Sequence, residues 1–233
     1  MKARTLFAAL AVAALLAVPA SAQRARRPAP AATDWTLTVV RTPEGGFRMG
    51  NPEAPIKVIE YLSLTCSHCA AFAHDGSAAL MQRHVRPGRV SIEYRNYVLN
   101  GYDLAASFLT RCASPRQYFE MSHELLATQP RWMGRIQTLT DAQRSELRGL
   151  PPLQAMPRIV ALLGLDAIGV RHGLTPAAQR ACLASQAGLD QIATMQQAAE
   201  RDFGVEGTPT FLINGRSVGS PDWARLEPML TGR

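Results

Sequence analysis

The sequence predicts an α/β fold whose sheet is interrupted by a long helical block. Residues 56–62 (IKVIEYL) form a nearly continuous apolar run, which is typical of a strand in the middle of a sheet covered on both faces. Residues 102–190 have an almost unbroken helical periodicity. After them, Asn214 and Gly215 join two short apolar runs, the strongest local signal for a β-hairpin.

The elements before the helical block follow in order along the chain. Residues 35–41 (WTLTVVR) predict a first strand, and residues 47–50 (FRMG) predict a short partner strand. A helix is expected over residues 66–84 with a bend at Gly76, and residues 89–99 (RVSIEYRNYVL) predict a further strand. Strand, helix and strand at this spacing indicate a βαβ unit.

Prolines and capping residues divide the rest of the chain. Pro157 and the Pro-Pro pair before it are expected to interrupt the helical block. Thr175 and Pro176 predict an N-cap followed by proline at the first helical position. Asp190 is expected to cap the next helix, and residues 222–230 predict a closing helix after the hairpin.

The first 22 residues have the pattern of a secretory signal peptide. Lys2 and Arg4 precede an apolar run over residues 6–18, and residues 20–22 (ASA) are small, as at a cleavage site. The apolar run is shorter than the ~20 residues needed to span a bilayer, and a retained signal anchor is the alternative. We therefore expect an exported, periplasmic protein in a compartment where disulfides persist.

These boundaries give the expected domain organisation. Residues 1–22 are the signal peptide, 23–34 a flexible leader, 35–101 and 191–233 a split sheet domain, and 102–190 a helical insertion. Four cysteines are too few for a disulfide-scaffold protein of this length, which favours a chemical role for them. The formal charge of +7 comes with no basic stripe interleaved with aromatics, so no nucleic-acid binding is expected.

Two cysteines lie three residues apart where the 56–62 strand leads into a helix. At a helix start the free N–H groups and the dipole favour an anion, and the thiolate is the reactive form of cysteine. Cys66 is therefore the expected nucleophile, and His68, when protonated, adds positive charge beside it. A fall of its pKa from ~8.5 to about 5 would favour the reduced form by roughly 2.7 kcal/mol at pH 7, which favours oxidation of clients.

Two further features lie at suggestive positions. Glu60 precedes Cys66 by six residues in an apolar strand, where burial would raise its pKa and let it shuttle the proton of the second thiol. The alternative is an ordinary solvated carboxylate. Pro209 in residues 207–211 (GTPTF) has a cis option, which would expose the backbone of Thr208 to an extended client. The alternative there is a trans turn proline.

This combination resembles the DsbA family of thiol–disulfide oxidoreductases, which have a thioredoxin fold with an inserted all-helical domain. The resemblance covers roughly residues 50–230 and is closest in GNPEAPIKVIEYLSLTCSHC and VEGTPTFLING. It implies that Cys66 is the nucleophile, Cys69 the buried resolving thiol, and Ser67 with His68 the tuning dipeptide.

The resemblance also assigns roles outside the cysteine pair. Glu60 matches the buried acid of the family, and Thr208 with Pro209 matches the cis-proline loop that binds clients. The Cys66–Cys69 disulfide would be the redox centre, with no other cofactor and no metal. The best-known members have proline where this chain has Ser67, so its helix start is expected to be less rigid.

The remaining cysteines are predicted to form a structural disulfide. Four cysteines allow three pairings, and if Cys66 and Cys69 are the working pair, Cys112 is left with Cys182. Such a bridge would close a loop of ~70 residues and stabilise by roughly 4 kcal/mol. The alternative is two separate buried thiols.

Several functions remain compatible with the sequence. An exported oxidase that donates disulfides is favoured over an isomerase or a reductase of the same fold. The sequence also allows a client-binding module or chaperone without turnover, and a zinc site built on the cysteine pair. The expected partners are folding exported proteins and a quinone-linked membrane reoxidase of the DsbB type, and the protein is expected to be a monomer.

Overall fold

The computed structural model describes residues 33–231. The predicted signal peptide and nearly all of the predicted leader lie outside the described residues. After a short 3-10 turn the chain forms six strands and ten α-helices in this order: β1 Val39–Arg41, β2 Phe47–Gly50, β3 Ile56–Leu62, α1 Ser67–Phe72, β4 Val90–Asn96, α2 Gly101–Arg111, α3 Pro115–Ala127, α4 Gln129–Gln137, α5 Asp141–Gly149, α6 Pro152–Leu163, α7 Leu165–Arg171, α8 Pro176–Leu183, α9 Gln186–Phe203, β5 Thr210–Ile213, β6 Arg216–Gly219 and α10 Trp223–Met229.

The six strands form one mixed sheet in the order β1-β2-β4-β3-β5-β6. Strands β3 and β4 run parallel because α1 and its continuation connect them, whereas the other neighbouring pairs are antiparallel. The apolar run predicted for the middle of the sheet is β3, which lies between β4 and β5. The hairpin prediction is also confirmed, since Asn214 and Gly215 both have positive φ and join β5 to β6.

Helices cover both faces of the sheet. On one face α9 packs over a small apolar cluster that includes Tyr61, Ala199 and Leu212. On the other face α1 and the helical block contribute to the main core, into which Tyr94 and Phe211 project from the sheet. The α1 helix continues through two π-helical segments, Ala73–Ser77 and Leu80–Val85, so the helix predicted from residue 66 to about 84 is confirmed.

The structure corrects the predicted start of the first strand. Trp35–Leu37 is a 3-10 turn, because Asp34 caps it by accepting a hydrogen bond from the N–H of Thr36 at 3.1 Å. The β-branched residues that predicted a strand over 35–41 therefore form a strand only from Val39 onward.

Two predicted helix boundaries are wrong. Pro157 lies inside α6 rather than interrupting it, because α6 buries five apolar side chains that offset the ~3 kcal/mol cost of an internal proline. Asp190 does not begin a helix, since Ser185 caps α9 by accepting from the N–H of Gly188. Helix α9 is continuous through residue 190, where the insertion was expected to end.

The predicted structural disulfide is present. Cys112 at the end of α2 is bonded to Cys182 in α8, while Cys66 and Cys69 are free thiols. Among the described helices none alone has the length and apolar character to cross a bilayer. Only α6 and α7 taken together, bent by 83°, meet that test by length and composition.

Replacing both Cys112 and Cys182 by alanine should lower the free energy of unfolding by roughly 4 kcal/mol, because their bond closes a 70-residue loop in the unfolded chain. Urea unfolding of the wild type and the double variant measures the difference. Alkylation of denatured, unreduced protein provides the control. Labelling of both cysteines in the wild type would show that the bridge does not form in solution.

Candidate active site

Cys66 lies at the N-cap of α1, where the sequence placed it. Its sulfur accepts a hydrogen bond from the Cys69 thiol, and the side chain of Thr208 and the N–H groups of Cys69 and His68 also stabilise the anion. Together these donors outweigh the opposing effect of burial and lower the pKa of Cys66 to about 5. Cys66 is therefore a thiolate at neutral pH.

Cys69 has the opposite character. It lies one turn into α1 and is fully buried. Its hydrogen bond to Cys66 raises its pKa, and burial and the nearby charge of Glu60 raise it further. The pair thus consists of one ionised sulfur near the surface and one protonated sulfur beneath it.

Glu60 lies in the sheet under this pair. The strand register places it beside Tyr94 of β4 and Phe211 of β5, and Phe47 of β2 follows Tyr94 in the same row. Its carboxyl is 2% exposed, and its Oε2 atom has no hydrogen-bond partner among the described residues. Burial, together with the charge of Cys66, raises the pKa of Glu60 to about 8, as expected from the sequence.

The loop before β5 completes the surroundings of Cys66. The Thr208-Pro209 peptide bond is cis, and the carbonyl oxygen of Thr208 lies 3.1 Å from the Cys66 sulfur, where it accepts a hydrogen bond only while Cys66 is protonated. Residues 142 positions apart in the chain are joined here because β5 pairs directly with β3. The backbone of Thr208 is therefore next to the reactive sulfur.

The two residues between the cysteines are more exposed than the cysteines themselves. Ser67 and His68 both have exposed side chains, and the described contact of His68 with the sulfur is made by its backbone N–H. The His68 ring instead lines a shallow cleft of about 130 Å³ with Phe72, Pro209 and Trp223. Its lining therefore includes residues of both the cysteine helix and the cis-proline loop.

Two residues of the helical block hold the loop before Cys66, and the sequence analysis missed both. The Asp103 carboxylate accepts a hydrogen bond from the N–H of Leu64 at 2.9 Å. Gln129 donates from Nε2 to the carbonyl oxygens of Leu64 and Cys66, at 2.8 and 3.0 Å. Asp103 could have been found from the sequence, because it follows the N-cap Asn100 at the start of α2. No local sequence pattern indicated a role for Gln129.

The structure also bears on the zinc alternative. Over residues 33–231, no group of three or more His, Cys, Asp or Glu side chains is arranged to hold a metal ion. Glu60 is close enough to influence both cysteines, and its carboxyl is mostly protonated below a pH of about 8.

Comparison with known proteins identifies the family. The thioredoxin family model matches residues 42–231, and the chain belongs to this family. It has the thioredoxin fold with an inserted helical domain, and its structural neighbours include DsbA proteins of Wolbachia pipientis and Chlamydia trachomatis.

Three individual proteins illustrate the similarity. The protein-disulfide isomerase of Novosphingobium aromaticivorans superposes with a TM-score of 0.74 at 28% identity, over 80% of this chain and 95% of that one. The α-DsbA1 of Wolbachia pipientis gives a TM-score of 0.64 at 21% identity, over 79% and 88% of the two chains. A Rickettsia bellii protein, provisionally named protein-disulfide oxidoreductase, is 25% identical over 74% of this chain and 58% of its own length. The chain spans 54–65% of the lengths of the curated relatives it matches.

Replacing Glu60 by glutamine should stabilise the protein at neutral pH. The pKa of the Glu60 carboxyl is 4.5 in the unfolded chain and about 8 in the folded protein. Ionisation of Glu60 at high pH therefore disfavours the folded state. This loss of folding stability is absent below pH ~4, grows as the pH rises, and is complete above pH ~8. At pH 7 the variant should therefore gain on the order of 3 kcal/mol in the free energy of unfolding.

The matched control for this variant is Glu93→Gln. Glu93 is also buried, but its Oε1 accepts hydrogen bonds from Arg95 at 2.7 Å and from Thr42 at 2.8 Å. Replacing Glu93 by glutamine should destabilise the protein, because Arg95 then loses its ion-pair partner. Urea unfolding from pH 4 to 9 separates the two cases, and a Glu60→Gln variant less stable than wild type at pH 7 would contradict the assignment.

Replacing Thr208 by valine should raise the pKa of Cys66, because the Thr208 side chain contributes to stabilising the thiolate. The Thr208 Oγ1 atom is buried and has no other hydrogen-bond partner among the described residues, so the rise should be at most roughly one to two, the value of a full hydrogen bond to a charged group. The pH dependence of thiolate absorbance measures it. Thr210→Val is the control, because the Thr210 hydroxyl donates to the carbonyl of Gly207 instead. Equal pKa values in both variants would refute the role of Thr208.

Proposed function

We propose that this protein is an exported thiol–disulfide oxidoreductase that donates disulfides to folding proteins by exchange at Cys66 and Cys69. The observation that carries the proposal is the unequal pair of thiols at the start of α1. Four donors stabilise the Cys66 anion, whereas Cys69 is buried and protonated. A stabilised thiolate favours the dithiol form of the protein, and it is also a good leaving group.

The reaction follows from which sulfur is accessible. In the oxidised protein a client thiolate attacks the sulfur of Cys66, the Cys66–Cys69 bond breaks, and Cys69 leaves as a thiolate that takes up a proton. A second client thiolate then attacks the client sulfur of the mixed disulfide and expels the Cys66 thiolate. The client dithiol is oxidised by two electrons, and the Cys66–Cys69 disulfide is reduced by two.

Glu60 is the proposed proton donor and acceptor for Cys69. A carboxyl with a pKa of about 8 is mostly protonated at pH 7, so it can supply the proton that the leaving Cys69 thiolate needs. When the pair is reoxidised the direction reverses, and the Glu60 carboxylate accepts the proton of Cys69. Both steps depend on the same buried group.

Clients are proposed to bind beside Cys66. The backbone of Thr208 adjoins the sulfur and offers an extended client a short edge for hydrogen bonding. The shallow cleft lined by His68, Phe72, Pro209 and Trp223 would receive a side chain next to the client cysteine. The pattern of residues 1–22 supports export to the periplasm, and a quinone-linked membrane protein of the DsbB type is the proposed reoxidant for this proposed monomer.

Oxidative refolding of a reduced, unfolded client protein tests the proposal. The wild type should accelerate disulfide formation, and Cys66→Ser should abolish the effect because the nucleophile is lost. Cys112→Ala with Cys182→Ala provides a control that retains the redox pair. Equal activity of wild type and Cys66→Ser would favour a client-binding module without turnover.

The redox potential of the Cys66–Cys69 pair separates oxidase from reductase. A pKa near 5 for Cys66 should place the potential well above the ≈ −270 mV of thioredoxin, because the stabilised thiolate favours the reduced form. Equilibration with glutathione of known redox ratio measures it. A value near that of thioredoxin would assign the protein as a reductase, and efficient reshuffling of a scrambled client would assign it as an isomerase.

A further inference from the structure

Glu60 needs a route by which its proton reaches solvent. Every catalytic cycle of the function proposed above, on which this inference rests, moves one proton onto Cys69 and one off it. Neither group can exchange that proton directly with water, since Cys69 is 0% and Glu60 2% exposed. The proton must therefore pass through neighbouring groups.

Tyr94 is the neighbour of Glu60 through which the proton can move toward the surface. It pairs with Glu60 in the parallel β3–β4 register, so both side chains project from the same face of the sheet. The Tyr94 hydroxyl is hydrogen-bonded to Nε2 of His123 in α3 at 3.0 Å. Tyr94 itself is buried, whereas His123 is half-buried.

His123 connects this pair to the surface. Its ring lines an apolar cleft of about 470 Å³ between the helix that carries the cysteines and the α3–α4 segment of the helical block. Ala70 and Ala73 line the cleft from the cysteine helix, and Ser77 adds a buried hydroxyl without a hydrogen-bond partner among the described residues. The cleft thus gives solvent access to the ring of His123 below the cysteine pair.

We infer that Tyr94 and His123 relay protons between Glu60 and this cleft. The Glu60 carboxyl, whose Oε2 has no hydrogen-bond partner among the described residues, rotates toward the Tyr94 hydroxyl and gives its proton to the Tyr94 oxygen. The phenol proton moves at the same time to Nε2 of His123, and the proton on Nδ1 leaves to solvent. The return path reverses these transfers. Burial lowers the pKa of His123 and so keeps its ring neutral. Burial also raises the pKa of Tyr94 and so disfavours a free phenolate. The Tyr94 oxygen therefore gains one proton and loses the other in a single concerted step.

Reoxidation by glutathione disulfide isolates the step that needs the relay. The Cys66 thiolate attacks one glutathione sulfur, which forms a mixed disulfide and releases one glutathione thiolate. Cys69 then loses its proton to Glu60 and attacks the Cys66 sulfur, which forms the Cys66–Cys69 bond and releases the second glutathione thiolate. The dithiol loses two electrons and glutathione disulfide gains them, so only the second step should depend on proton transfer through the interior.

Quenched-flow measurement of both steps tests the relay. Tyr94→Phe and His123→Gln should slow the second step at least about tenfold and leave the first step unchanged, because general acid–base assistance contributes 10²-fold or more. The redox potential should stay the same, since a relay changes rates and leaves the equilibrium alone. In His123→Ala, added imidazole should restore the second step, which a merely structural histidine would not allow.

Tyr118→Phe is the matched control. Tyr118 is a second fully buried tyrosine in the same core, but its hydroxyl donates to Asn96 rather than to a histidine at a cleft. Its loss should leave both steps at the wild-type rate. Equal slowing in Tyr94→Phe and Tyr118→Phe would overturn the relay, as would a shifted potential or the absence of imidazole rescue.

Failure of the relay can be told apart from failure of the proposed function. If Glu60→Gln slows the second step while Tyr94→Phe and His123→Gln do not, the proton leaves by another route and the redox function stands. If Cys66→Ser retains wild-type refolding activity, the redox function itself is wrong and the relay is overturned with it.

Discussion

The hydrogen bond between the two thiols is the interaction on which the rest of the site depends. It is the largest influence on both ionisations, lowering the pKa of Cys66 and raising that of Cys69. One sulfur can be held as an anion only while the other keeps its proton. Cys69 therefore cannot stabilise the thiolate and act as a nucleophile at the same moment. Attack by Cys69 needs a separate proton acceptor, and we propose the carboxyl beneath the pair for that role.

Placing that carboxyl in the sheet has a cost in stability. Glu60 lies in a row of three aromatic side chains, none of which is bonded to its Oε2 atom. Glu93 and Arg95 show how the same sheet otherwise buries charge, as a bonded ion pair. An unpaired carboxyl is tolerated because its pKa rises until it is neutral over most of the physiological range. The buried carboxyl thus lowers the stability of the fold, and its raised pKa suits the proton transfer proposed for it.

The sequence predicted those features of the site whose cause is local. The position of Cys66 at a helix start and the burial of Glu60 follow from a strand and helix that adjoin in the chain. No local pattern in the sequence marks His84 as buried or His123 as half-buried, because segments distant in sequence pack over them. Pro157 shows the same limit, since its helix is held by tertiary packing rather than by local preference.

The helical block was predicted from its periodicity, but its contribution to the site depends on contacts between distant residues. Ser67 replaces the proline that the best-known DsbA-family members have between the cysteines, which predicted a less rigid helix start. The structure supplies another restraint there. The Cys66 carbonyl accepts the first hydrogen bond of α1 from Ala70 at 3.1 Å and also a bond from Gln129 at 3.0 Å. Asp103 holds the N–H of Leu64 two residues earlier.

The backbone around the thiolate is thus fixed from two directions. On one side, the pairing of β3 with β5 brings the loop that contains Thr208 to the sulfur. On the other side, the inserted helices contribute Asp103 and Gln129. Because Gln129 bonds the Cys66 peptide itself, a displacement of α4 would move the N–H groups that stabilise the sulfur anion. The insertion is therefore part of the machinery that sets the charge on Cys66, and the two parts of the fold act on one sulfur atom.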